Sequence, residues 1–149
     1  MLKLRIITAV VLLVLVLATV LLGPRWLLLA LLGVGILAAA YEWSQLAGFE
    51  HWLARLVYGV SVLVLALLGW WWTQQFIGGI QTILLAALLV WLTAFVLIIL
   101  HPNVPRSVIA GGGVFVMAVA WLAAVALYDL PRGKFWLLLV LALVWAADI

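Results

Sequence analysis

The sequence predicts an all-α protein, a polytopic transmembrane helix bundle with five full spans and a truncated sixth. Three observations carry this prediction. Hydrophobic residues make up 72% of the 149 positions and charged residues only 7%, whereas a soluble domain carries roughly 25% charged residues. The mean hydropathy is +1.50, more apolar surface than a water-soluble fold of this size could hide. The apolar residues also fall into six runs near the length of about 20 residues that a helix needs to cross a bilayer.

The runs follow one another closely. The first covers 6–22 and stops at Gly23-Pro24-Arg25, where proline disfavours helix at the preceding residue and brings no N–H donor. The second covers 26–41, the third 57–72, the fourth 76–100, the fifth 108–128, and the sixth 135–149. Most connections are short, which makes neighbouring spans antiparallel. The exception is Glu42 to Leu56, "EWSQLAGFEHWLARL", which mixes Trp43, Leu46, Trp52, Leu53 and Leu56 with Glu42, Gln45, Glu50, His51 and Arg55. It reads equally as an amphipathic interfacial segment or as a helix end followed by a loop. There is no linker, low-complexity tract or repeat, so residues 1–149 form a single membrane domain. The first run is longer than the h-region of about 7–15 residues of a secretory signal and leads straight into a second span, so it reads as an uncleaved span.

Charge gives the orientation. With the N-terminus in the cytoplasm, the inner loops hold Lys3, Arg5, Arg55 and Arg106, and the outer loops hold Arg25, Arg132 and Lys134. The pair beside the first span favours N-in. The net charge of +3 comes from scattered residues that form no basic stripe, which excludes a nucleic-acid footprint. The absence of cysteine excludes disulfides, thiolate metal sites and cysteine nucleophiles.

Ten tryptophans are present. Trp26, Trp43, Trp70 to Trp72 and Trp136 lie at run ends, where an indole anchors at the headgroups. Trp91, Trp121 and Trp145 lie deeper and are expected to pack between helices. Gly35 with Ala39, Ala120 with Ala124, and Ala142 with Ala146 are small-residue pairs that let helices approach closely. Gly111 to Gly113 lack the Lys-Ser/Thr of a phosphate loop and read as a close-packed or flexible entry to the fifth span. His51 and His101 fall in loops without metal-ligand spacing, and "HPNVPR" at 101–106 is a turn built on two prolines. Arg132 and Lys134 are expected to anchor helix ends.

Glu42 closes the second span as an interface carboxylate. Asp148 stands apart, after 13 uncharged residues from Phe135 to Ala147. On a continued helix it lies within the membrane or near its inner face, where an acid is costly and marks function. On a chain ending at Ile149 it is only a polar terminus. A 15-residue run from 135 to 149 is too short for a span, so the sequence is expected to be a fragment of a longer chain.

"MLKLRIITAVVLL" at 1–13, "YEWSQLAG" at 41–48 and "LLLVLALVWAAD" at 137–148, in this order, resemble the bacterial phosphatidate cytidylyltransferase (CDP-diacylglycerol synthase) family along the whole chain. The resemblance implies a multi-pass inner-membrane nucleotidyltransferase of phospholipid biosynthesis. Such an enzyme condenses CTP with phosphatidic acid to CDP-diacylglycerol and pyrophosphate, with a divalent cation such as Mg2+. The family's basic loop and acidic C-terminal signature have no counterpart here. Asp148 is therefore the one carried-over metal candidate, the chain is expected to be the inactive N-terminal membrane half, and the catalytic and CTP-binding residues are left unassigned. A homodimer is compatible with this reading. A small transporter or scaffold subunit is the alternative, but spans one to five hold almost none of the intramembrane polar groups of a transport path.

Overall fold

A computed structural model describes residues 2–100 and 104–147, with side chains at all of these except 2–6, 8, 9 and 98. The described residues form helices and turns without a strand. In order they are α1 (Leu2–Leu22), α2 (Arg25–Leu46), α3 (Trp52–Gln75), α4 (Gly79–Leu100), α5 (Arg106–Tyr128) and α6 (Gly133–Ala147). Among the described residues four stretches are long and apolar enough to cross a membrane: Arg25–Leu46, Trp52–Gln75, Gly79–Leu97 and Arg106–Tyr128. Val10–Leu22 and Gly133–Ala147 are shorter apolar stretches. The protein is a multi-pass helical membrane protein.

Each boundary has a local cause. At the end of α1, the Gly23 N–H donates to the carbonyls of Ala18 and Thr19 at 3.1 and 3.0 Å, and Pro24 then offers its carbonyl to Leu27 and Leu28. Proline suits this place because its missing N–H would have gone unpaired there. α2 runs through Glu42 to Leu46 and closes in a Schellman motif. The N–H of Phe49 donates to the Ser44 carbonyl and that of Gly48 to Gln45, both at 3.0 Å, with Gly48 left-handed at φ 83°. Residues 47–51 are thus a tight loop, and the Glu42 to Leu56 stretch resolves into a helix end, this loop and the first turn of α3. Gly78, at φ 80°, serves α4: its carbonyl accepts from Thr82 N–H at 3.0 Å. α5 starts on the Pro105 carbonyl, and α6 on that of Arg132, a non-glycine residue at φ 62°.

Hydroxyls inside the helices turn back on their own backbone. Ser61 donates to the Tyr58 carbonyl at 2.7 Å, Thr73 to Trp70 at 2.7 Å and Thr93 to Leu89 at 2.8 Å. This satisfies polar groups that hydrocarbon could not.

The chain divides into two compact units. One comprises Met1–Leu32 with Val125–Ile149; in it α1 packs on α6, and Val20, Leu28 and Leu137 are buried. The other is Gly33–Ala124. Here α3 packs on α4, and the core gathers Ile36, Ala40, Tyr58, Val62 and Met117, with Trp43 and Trp121 packed against it. Trp121 therefore packs as expected. Trp91 does not: it is 60% exposed, on a side of α4 where Leu92 and Phe95 are exposed too. Trp145 is also exposed. Hydropathy places a tryptophan at a depth but does not say which helix face it occupies.

Candidate functional site

Polar side chains converge where α2 turns into α3, and α5 begins against that turn. Trp43, near the end of α2, donates its indole N–H to the Ile109 carbonyl at 2.9 Å. Tyr58 of α3 donates its hydroxyl to the next carbonyl, Ala110, also at 2.9 Å. Carbonyls in the first turn of a helix can accept a second bond because oxygen has two lone pairs. Gly113 permits the approach: a Cβ there would collide with the Trp43 indole and the Tyr58 hydroxyl. Gly111 and Gly112 face open space, so only the third glycine of the run is needed for packing. Trp43, which the sequence places at a run end, serves in the structure as a strut between helices.

The loop is held from α3. Arg55 donates from Nε to the Phe49 carbonyl at 3.0 Å and from Nη1 to the Tyr41 hydroxyl at 3.2 Å. Its guanidinium lies 5.3 Å from the Tyr41 ring centroid, within cation–π range. The Phe49 and Tyr58 rings meet at 5.6 Å. Arg106, the first residue of α5, lies over Gly48 so closely that a side chain at 48 would meet its guanidinium. The turn therefore sits between two arginines. Beside it an open apolar groove of about 730 Å³ runs along α3, lined by Phe49, Trp52, Leu53, Val57, Tyr58 and Ser61, with His51 at its end. Glu42 and Glu50 are exposed.

A second polar cluster lies in the unit containing both chain ends. Arg25 grips Asp129 with two parallel bonds, Nε to Oδ1 at 3.0 Å and Nη2 to Oδ2 at 2.7 Å. Lys134 donates from Nζ to the Leu21 carbonyl at 2.9 Å, satisfying the last turn of α1 where a cation also suits the helix dipole. Lys134 is thus a helix anchor, as expected. Asp129 was not singled out from the sequence. The signal was available, since Arg25 and Asp129 flank two loops predicted on the same membrane side.

The acid predicted to bind metal, Asp148, lies outside the described residues, as do His101 and Asn103. Among the described residues no group of three or more His, Asp or Glu side chains could hold a metal ion.

The profile of the cytidylyltransferase family matches residues 3–149. The chain belongs to the cytidylyltransferase family. Along its whole length this family member is 34% identical, over 154 aligned residues, to a phosphatidate cytidylyltransferase of Pseudomonas aeruginosa. The alignment takes in 100% of the chain and 55% of that relative, so the chain spans about half the length of the curated cytidylyltransferase it matches. No solved structure matches it.

Proposed function

We propose that the chain is the membrane-embedded part of a CTP:phosphatidate cytidylyltransferase that makes CDP-diacylglycerol and pyrophosphate for phospholipid biosynthesis in the bacterial inner membrane, with its N-terminus in the cytoplasm. The observation that carries this is the 34% identity to the Pseudomonas aeruginosa phosphatidate cytidylyltransferase over the entire chain. In this reaction a phosphate oxygen of phosphatidic acid attacks the α-phosphorus of CTP. A new P–O bond forms, the bond to the β-phosphate oxygen breaks, and pyrophosphate leaves. Crowded phosphate charge must be neutralised as this happens.

A divalent cation, Mg2+ in this proposal, supplies that neutralisation when bound. Among the described residues no group of three or more His, Asp or Glu side chains is placed to hold it, and Asp148 is the candidate ligand this chain offers. The chain's own part is to seat the enzyme in the lipid where phosphatidic acid resides and to fix the helix ends, through the Trp43–Ile109 and Tyr58–Ala110 bonds in one unit and the Arg25–Asp129 pair in the other. The near-absence of ionisable groups inside α3 and α4 supports this over a transport path. The test is depletion of the gene product in its host. Phosphatidic acid should accumulate and CDP-diacylglycerol fall within a few generations, while an unchanged lipid profile would reject the proposal.

A further inference from the structure

The glycine run at 111–113 has a property that close packing does not explain. Gly113 makes room for Trp43 and Tyr58, but Gly111 and Gly112 face open space. Both are helical, and neither has the positive φ that calls for glycine. A side chain would therefore fit at either position. Glycine inside a helix weakens it relative to alanine, by about fivefold in the helix–coil equilibrium at each position.

Packing does little to compensate in the first two turns of α5. Residues 105–108 and Gly111 are exposed, and Ile109, Ala110 and Gly112 are half-buried. The first buried position is Gly113, followed by Met117, Ala118 and Val119. The firmest holds on this segment come instead from two other helices. The Ile109 carbonyl accepts from the Trp43 indole of α2, and the Ala110 carbonyl from the Tyr58 hydroxyl of α3, each at 2.9 Å. In a continuous α-helix the same two carbonyls accept the N–H groups of Gly113 and Val114. Both struts thus meet α5 at the level of its glycines. Tyr58 is itself part of the buried core and Trp43 packs against it, so the struts are fixed points.

We propose that Arg106–Gly112 is a soft helix entry latched by Trp43 and Tyr58. It opens as a local unit when the latch is released, while α5 stays packed from Gly113 onward. The two unpacked glycines keep the cost of opening low, and the two hydrogen bonds favour the closed state. Opening lifts Arg106 from its place over Gly48 and so frees one side of the 47–51 loop. Nothing in this device depends on cytidylyl transfer.

Hydrogen–deuterium exchange of the detergent-purified chain tests this, read at the amides of 110–114 with those of 118–124 as an internal reference. Trp43→Phe and Tyr58→Phe should each speed exchange at 110–114 about fivefold, the scale of losing one hydrogen bond. Exchange at 118–124 should not change. Gly111→Ala combined with Gly112→Ala should slow exchange at 110–114 by about twentyfold, two glycines' worth of helix propensity. Added to Trp43→Phe, the same pair should restore protection. Equal acceleration of both segments in the Trp43 and Tyr58 variants would overturn the proposal, by showing that the struts hold the whole helix rather than its entry. Unchanged exchange at 110–114 in the double-alanine variant, or in both strut variants, would overturn it as well.

Discussion

The Trp43 indole donates to the Ile109 carbonyl across 66 positions of sequence, in a space left open by the missing side chain of Gly113. This contact ties the end of α2 to the start of α5. It makes one glycine of a run of three indispensable and leaves the other two replaceable.

Gly113→Ala should therefore destabilise the protein by about 1–3 kcal/mol, the usual range for forcing extra volume into a packed site. Gly111→Ala should be neutral or slightly stabilising, since alanine favours helix over glycine and a Cβ there meets nothing. Thermal unfolding in detergent of the two variants, compared side by side, checks this. Equal effects would show that the Trp43 contact does not limit position 113.

The two packed tryptophans should respond differently to loss of the N–H. Trp43→Phe removes a made hydrogen bond, with a net loss of about 1 kcal/mol beyond the change in volume. The Trp121 Nε1 is buried with no partner among the described residues, so Trp121→Phe removes a group that is costly to leave unpaired. The melting temperature should fall further for Trp43→Phe than for Trp121→Phe. The reverse order would contradict the assigned bonding.

Arg25 and Asp129 are each 44% exposed, and exposed pairs couple by about 0.2–1 kcal/mol. A double-mutant cycle with Arg25→Gln and Asp129→Asn should give a coupling in that range, at its upper end because the pair is bidentate. Zero coupling would mean that solvent already separates the two charges.

With no cysteine in the sequence, single-cysteine labelling needs no background removal. Glu50→Cys and Gln74→Cys lie before and near the end of α3. An impermeant thiol reagent should reach them from opposite sides of the membrane, with Glu50→Cys labelled from the cytoplasm. Labelling of both from one side would remove α3 as a span.

Much of the fold is legible in the sequence, because run length and Pro/Gly punctuation act locally. All six helices occur where apolar runs predict them, and Gly23-Pro24 and Pro105 mark helix borders. The 47–51 loop was less legible. Glu42, Trp43 and Gln45 look like loop residues by polarity, but the αL glycine at 48 sets the helix end, and a polar residue near a membrane surface costs a helix little. The candidate site was harder to read. Trp43, Tyr58 and Gly113 are separated along the chain, and the facing of one helix toward another depends on register, which hydropathy does not encode. Trp91 shows the same gap from the other side: its helix was read from the apolar run, but its indole lies on an exposed face. The family resemblance was carried by short ordered stretches, and the family match over residues 3–149 bears it out.

If Asp148 acts near the reacting phosphates, Asp148→Asn in the complete gene product should cut turnover by about a hundredfold, the scale of losing one well-placed electrostatic group. Glu42 is exposed on α2, so Glu42→Gln should cost far less. A normal Asp148→Asn enzyme with an inactive Glu42→Gln enzyme would move the site to the second helix. Residues 1–149 alone should show no turnover, because they span only 55% of the matched phosphatidate cytidylyltransferase.

The proposed activity, cytidylyl transfer to a lipid phosphate, is tested most directly by the fate of the CTP phosphates. Membranes carrying the complete gene product are supplied with phosphatidic acid, Mg2+ and CTP labelled at either the α- or the γ-phosphorus. The α-label should pass into the chloroform-soluble fraction as CDP-diacylglycerol, and the γ-label should appear in pyrophosphate in equal amount, both only when phosphatidic acid is added. Retention of the α-label in water-soluble nucleotide, or passage of the γ-label into lipid, would contradict the assignment.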